Sequence, residues 1–148
     1  MSASEEFDAG HMAVGRFGTR DENHRIVVGS FDGKIRVYDP REPTYKPQHL
    51  ILEKDEGKPI LQVCIIRFDE ESIEDMIVLL FSKGFIVYNF HPGQEGLMLK
   101  NEARDDNIDR LCYNMCPCYI GGEGILCVQS QEGMLSFYNK SSRMCSTD

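Results

Sequence analysis

The chain has 148 residues, 41% of them apolar, with a net charge of −8 and six cysteines. That length and apolar content suit one soluble-type domain with a core of its own. The negative field repels phosphate backbones and anionic lipid, so direct binding to nucleic acid or membrane insertion is not expected.

In chain order, Met1 to Gly10 is an acidic lead-in without the positive flank and apolar centre of a signal peptide. No run approaches 18 consecutive apolar residues, the length that marks a membrane helix. The chain therefore reads as cytosolic, and its cysteines as reduced thiols. His11 to Phe17 is predicted as a first strand, and Gly18 to Arg25 as a polar loop. Ile26 to Tyr38 then reads I-V-V-G-S-F-D-G-K-I-R-V-Y, two short apolar runs joined across a turn. Asp32-Gly33 supplies the turn, because glycine takes positive φ without a Cβ penalty. Pro40, Pro43 and Pro47 exclude helix and interior strand, which makes Asp39 to Gln48 a loop. Leu50 to Glu53 is the predicted outer strand of this unit.

The same order recurs. Leu61 to Phe68 matches His11 to Phe17, both ending in Arg-Phe, and Asp69 to Asp75 takes the place of the first loop. Ile77 to Tyr88 repeats the hairpin at an offset near 50 with one residue fewer after the glycine, and Leu97 to Leu99 is the predicted edge strand. Leu111 to Met115 opens a third unit, followed by a Gly121-Gly122 turn and a third hairpin, Leu126 to Tyr138, at an offset of 100. The apolar runs Ile26–Val28, Ile77–Phe81 and Ile125–Val128 lack alternation, so both faces of those strands are expected to be covered. A strand repeat of about 50 residues points to a propeller. The fold class expected is all-β, with propeller-like blades of four antiparallel strands. The units run over 11–56, 61–103 and 111–140, after a lead-in at 1–10. The third unit is expected to stop at Tyr138 without a fourth strand, leaving about two and a half blades of an unclosed ring.

Chemistry-bearing residues are few. Cys112, Cys116 and Cys118 would share one face of an unbroken strand and form a possible soft-metal site. Paired C-x-x-C spacing and a fourth ligand are missing, and Pro117 is expected to interrupt the strand. His11, His24, His49 and His91 lack a partner motif for nucleophilic catalysis. The acidic clusters 69–75 and 105–109 lack the glycine of a calcium loop. Gly29 to Gly33 is no phosphate cradle, and Tyr38, Tyr88 and Tyr138 recur as packing residues. No catalytic, metal or cofactor residue is assigned. The two alternatives to a scaffold are a WD40-like adaptor and a thiol- or metal-dependent enzyme at Cys112 to Cys118. The adaptor lacks W-D and G-H signatures and would need blades of only ~40–45 residues.

Glu5 to Gly10, V-G-S-F-x-G-x-x-R-V-Y-x-P within Ile26 to Pro40, Ile60 to Val63, Asn114-Met115 and Cys127 to Leu135 together resemble the amino-terminal propeller of the parathyroid-hormone-responsive B1 family. The resemblance covers nearly the whole chain in order. It departs from the family pattern in lacking a tryptophan-bearing lead-in, and the chain has no Trp. It implies the start of a longer, non-enzymatic scaffold subunit of the BBSome, a coat-like complex that carries membrane proteins into and out of cilia. The implied partners are other BBSome subunits, with ciliary cargo and trafficking machinery contacted indirectly. The implied location is the cytoplasm, cilium and basal body.

Overall fold

The computed structural model describes residues 6–16, 23–69, 75–93, 96–105, 111–139 and 145–147. Among the described residues, twelve strands form three four-stranded antiparallel sheets, each a meander in which neighbours in sequence pair. The first holds β1 (Met12–Gly15), β2 (Arg25–Gly29), β3 (Lys34–Tyr38) and β4 (Leu50–Asp55). The second holds β5 (Gln62–Ile66), β6 (Met76–Phe81), β7 (Gly84–Gly93) and β8 (Gly96–Asp105). The third holds β9 (Cys112–Ile120), β10 (Glu123–Ser130), β11 (Leu135–Tyr138) and β12 (Cys145–Thr147). Among the described residues the sheets form no closed barrel, and the all-β class of four-stranded, propeller-like blades is the one the repeat predicts.

One expectation is corrected. The third sheet does have a fourth strand, because β12 pairs with β11 in the register Leu135↔Thr147 and Phe137↔Cys145. Three residues are too few for a two-residue period to show in sequence, so only pairing reveals this strand. The outer strand β8 likewise exceeds its predicted three residues, running ten.

The middle sheet is packed on both faces. Ile77, Leu79 and Phe81 of β6 join Val27, Ile35 and Val37 of the first sheet in one core. Val78 and Leu80 of the same strand join Met115, Leu126 and Val128 of the third sheet in another. Successive strand side chains point to opposite faces, so a strand covered on both sides must be apolar throughout. At about 1.5–3 kcal/mol per large apolar side chain, this double burial is the main favourable term of the assembly. The expectation of two covered faces holds in full only for β6. Ile26 and Val28 of β2, and Ile125 and Cys127 of β10, are half-buried on the faces turned away from the middle sheet.

The 100-residue offset is reproduced atom for atom at the turns. Ser30 N–H donates to Lys34 O at 3.1 Å, and Ser130 N–H to Met134 O at 2.9 Å. The serine hydroxyls accept from Lys34 N (3.3 Å) and Met134 N (3.2 Å). Gly33 and Gly133 sit at φ 94° and 83°, the left-handed region that these turns demand. The turns of the first and second hairpins also receive the chain entering the next blade: Ile60 N–H donates to Ser30 O (3.2 Å), and Cys112 N–H to Ser82 O (2.8 Å).

Neighbouring blades are tied further by backbone contact. Gly124 N–H donates to Phe68 O at 3.0 Å, and a Cβ on Gly124 would collide with the Arg67 carbonyl. Gly124→Ala is expected to cost about 1–3 kcal/mol, read as a lower urea midpoint with unchanged slope. A wild-type midpoint would mean that the second and third sheets do not meet there.

Candidate interaction surface

The groups singled out in sequence fall mainly into structural roles. His11 is buried; its Nδ1 accepts from Asp8 N at 2.6 Å and its Nε2 lies 2.6 Å from Ile60 O. The Nδ1 acceptor leaves the proton on Nε2, so this histidine ties the start of the first blade to the start of the second. His49 is buried beside its own turn, with Nδ1 accepting from Lys46 N at 3.2 Å. His24 is exposed. The His91 side chain lies outside the described residues, as do positions 70–74 and 106–109 of the acidic clusters. Asp75, at the end of the first cluster, accepts from Arg67 Nη2 at 2.9 Å and Arg16 N at 2.9 Å. The recurrent Arg-Phe noted in sequence thus marks a joint between blades.

The three cysteines do not share a face. A register shift between Gln129 and Ser130 places Ser130 opposite Cys112 and Gln129 opposite Asn114, making Tyr113 the extra residue of a bulge. Cys112 is consequently buried with Met115, while Cys116 and Cys118 are exposed. The strand also continues through Pro117, correcting the expected break. β9 is an edge strand, where a residue without an N–H is tolerated. Among the described residues, no group of three or more His, Cys, Asp or Glu side chains is placed to hold a metal ion.

Two features were not legible beforehand. The Gln62 side-chain amide bonds both backbone groups of Met115, donating to its O at 2.7 Å and accepting from its N at 2.9 Å. It thereby clamps β5 to β9. Lys54 Nζ donates to the Tyr88 hydroxyl (2.6 Å), which donates to Glu56 Oε1 (2.7 Å), so the end of the first blade closes over the second. The recurrence of tyrosine was the one available signal. Tyr138 repeats the packing role in the third sheet, edge-on to Phe85 at 4.6 Å. Tyr38, in the first sheet, instead lines an open cavity of about 340 Å³ with Ile26, Pro40, Pro43, Tyr45 and His49.

Several large apolar and aromatic side chains are exposed. Met12 and Val14 project from β1, Tyr113, Tyr119 and Ile120 from β9, and Tyr45 from the proline-rich loop. Exposed apolar side chains of this kind stand on a rigid sheet stack, open to contact. Among the described residues no helix is long and apolar enough to cross a membrane.

Comparison with known proteins settles the lineage. The family model described as PTHB1 N-terminal matches residues 1–147. The chain belongs to the PTHB1 N-terminal family. Protein PTHB1 of Xenopus laevis is 28% identical over 160 residues, and that of Homo sapiens 26% over 155. The Mus musculus protein is 27% identical over 158 residues. Each alignment covers 96% of this chain and 18% of the relative, so the chain spans about a fifth of the length of its PTHB1 relatives.

The Lys54–Tyr88–Glu56 group has a pH signature. Burial lowers the Lys54 pKa, but the Tyr88 hydroxyl and Glu56 outweigh it and leave it above its ordinary value. Burial, aided by Glu56 and partly offset by Lys54, raises Tyr88. Both groups hold their protons more tightly folded than unfolded. Their contribution is complete below the unfolded values of about 10 to 10.4 and is lost as pH rises through the higher folded values. Unfolding free energy is thus expected to fall above about pH 10. In Tyr88→Phe that fall should be shallower, after a loss of about 1 kcal/mol at neutral pH. Urea titrations at neutral and high pH read both effects, and an equally steep fall in the variant would place its origin elsewhere.

Proposed function

We propose that the chain forms the first blades of a non-enzymatic β-propeller scaffold in a BBSome-like coat complex for ciliary membrane-protein traffic. The observation that carries this reading is membership of the PTHB1 N-terminal family over residues 1–147. Three features of the fold support it. The sheets are stacked as blades. The outward faces of the first and third sheets bear half-buried Ile26, Val28, Ile125 and Cys127, which further blades of the same ring would cover. The conspicuous polar groups, His11, Gln62, Asp75 and Tyr88, are spent on joining blades.

In this reading the partners are other BBSome subunits, met through loops and exposed aromatics held by rigid sheets. Cargo and trafficking machinery are engaged through those subunits, in the cytoplasm and at the cilium and its basal body. Affinity purification of the full-length protein from ciliated cells is expected to bring down the other BBSome subunits in constant ratio. Recovery without any of them, while they assemble with one another in the same lysate, would overturn the reading.

A further inference from the structure

The three blades align position by position on their strand pairing. Ile26, Ile77 and Leu126 pair with the recurrent Tyr38, Tyr88 and Tyr138, and two residues further on stand Val28, Leu79 and Val128. Opposite these last three, on the first strands, are Met12, Val63 and Met115. The residues just before them are therefore equivalents: His11, Gln62 and Asn114. Val63 and Met115 are buried toward the preceding blade, and strand side chains alternate, so Gln62 and Asn114 point toward the following one. His11 and Gln62 both grip that following blade. His11 Nε2 donates to Ile60 O, on the chain entering the second blade, at 2.6 Å; the Gln62 amide holds both backbone groups of Met115 in the third.

We propose that Asn114 is the clamp of the third blade, its side-chain amide bonding the backbone at the start of a fourth blade packed on the outward face of the third sheet. The proposal rests on the propeller reading, and the occupant is a further sheet of the same repeat within the full-length protein. The PTHB1 relatives have the length to supply one, since this chain covers 18% of each. Asn114 is exposed, and its Nδ2 meets no acceptor among the described residues. Its Oδ1 accepts from Met115 N at 2.9 Å. That bond can be given up without orphaning the N–H, because Gln62 Oε1 accepts from it at the same distance. Asparagine offers the same donor and acceptor pair as glutamine, one methylene shorter. The bulge at Tyr113 immediately precedes it, so the shorter side chain leaves from a strand bent at that point.

The rest of that face repeats what the earlier blades bury. Cys64 and Cys116 are equivalents, opposite Val78 and Cys127 respectively. Cys64 and Val78 are buried between the second and third blades, whereas Cys116 is exposed and Cys127 half-buried. Ile35, Phe85 and Leu135 share one place near the start of the third strands. Ile35 is 0% exposed and Phe85 4%, each beneath the next blade, and Leu135 is 37% exposed. At that place Phe85 meets Tyr138 of the next blade at 4.6 Å, and Ile35 shares a core with Tyr88. The third blade thus presents the apolar places that the first two cover, with an amide at the one place where they carry a clamp. Desolvated beneath a fourth sheet, that amide would be costly without a partner. Backbone at the start of the neighbouring blade is the partner that both earlier clamps use.

The test is iodoacetamide labelling of the full-length protein, with each cysteine's native rate divided by its urea-unfolded rate after peptide mapping. Cys64 reports on the Gln62 joint and Cys116 on the Asn114 joint, so both are expected to be protected in the unaltered protein. Asn114→Ala should raise the native rate at Cys116 about tenfold and leave Cys64 protected, while Gln62→Ala should raise the rate at Cys64. The decision does not hang on the alanine variant folding. Asn114→Asp keeps the size but loses the donor and should also raise the rate at Cys116, whereas Asn114→Gln keeps donor and acceptor and should not. Unchanged protection of Cys116 in the alanine and aspartate variants would overturn the clamp while leaving the ring standing, as would exposure in the glutamine variant as great as in the aspartate one. Labelling of Cys116 as fast in the native as in the unfolded protein would overturn the clamp and the propeller reading together. Protection that fades on dilution would make a second copy the cover and overturn the proposal.

Discussion

The structure depends on one strand being wanted on both sides. β6 offers Ile77, Leu79 and Phe81 to the first sheet and Val78 and Leu80 to the third, and none of the five is exposed. A sheet with one apolar face can rest against a single neighbour; a sheet with two must sit between neighbours. The stack of three follows from this, as does the direction in which each hairpin faces. The turns and clamps act afterwards, fixing the angle and spacing at which already attracted sheets come to rest.

Polar side chains are used where sheets meet, and sparingly. His11, Gln62, Asp75 and Tyr88 each satisfy a backbone group or a charge on a different blade from their own or on the chain entering it. Arg25, buried and paired with Asp39 of its own blade at 3.6 Å, reaches the second blade through the Phe90 ring, 5.2 Å away. Such contacts add little net free energy compared with burial of the apolar faces, but they are costly to break once desolvated. They impose register between blades that hydrophobic contact alone would leave free to slide.

The cysteines show how a local irregularity redistributes chemistry. Without the bulge at Tyr113, Cys112 would join Cys116 and Cys118 on one face; with it, Cys112 enters the core and the other two stay outside. The partner that Cys116 does acquire comes from the facing strand, 11 positions along. A reading confined to one strand sees the first trio and misses the second pairing.

Local pattern was enough to establish the repeat, the three hairpins, their glycine turns and the all-β class, because each depends on two-residue periodicity and on residues close in sequence. Tyr38, Tyr88 and Tyr138 were visible as equivalents, and the Arg-Phe pairs as recurrent strand ends. What each equivalent touches was not visible. Tyr88 meets Lys54 and Glu56, Tyr138 meets Phe85, and Tyr38 lines an open cavity, since their surroundings depend on which face of which sheet has a neighbour. The strand β12, the passage of β9 through Pro117 and the bulge at Tyr113 were likewise decided by pairing with a strand already in place. Sequence alone determined how many hairpins the chain makes and which way they turn. Only the tertiary structure decided which of their faces are covered and which thiols meet, because burial and cross-strand register arise between segments that the linear pattern does not connect.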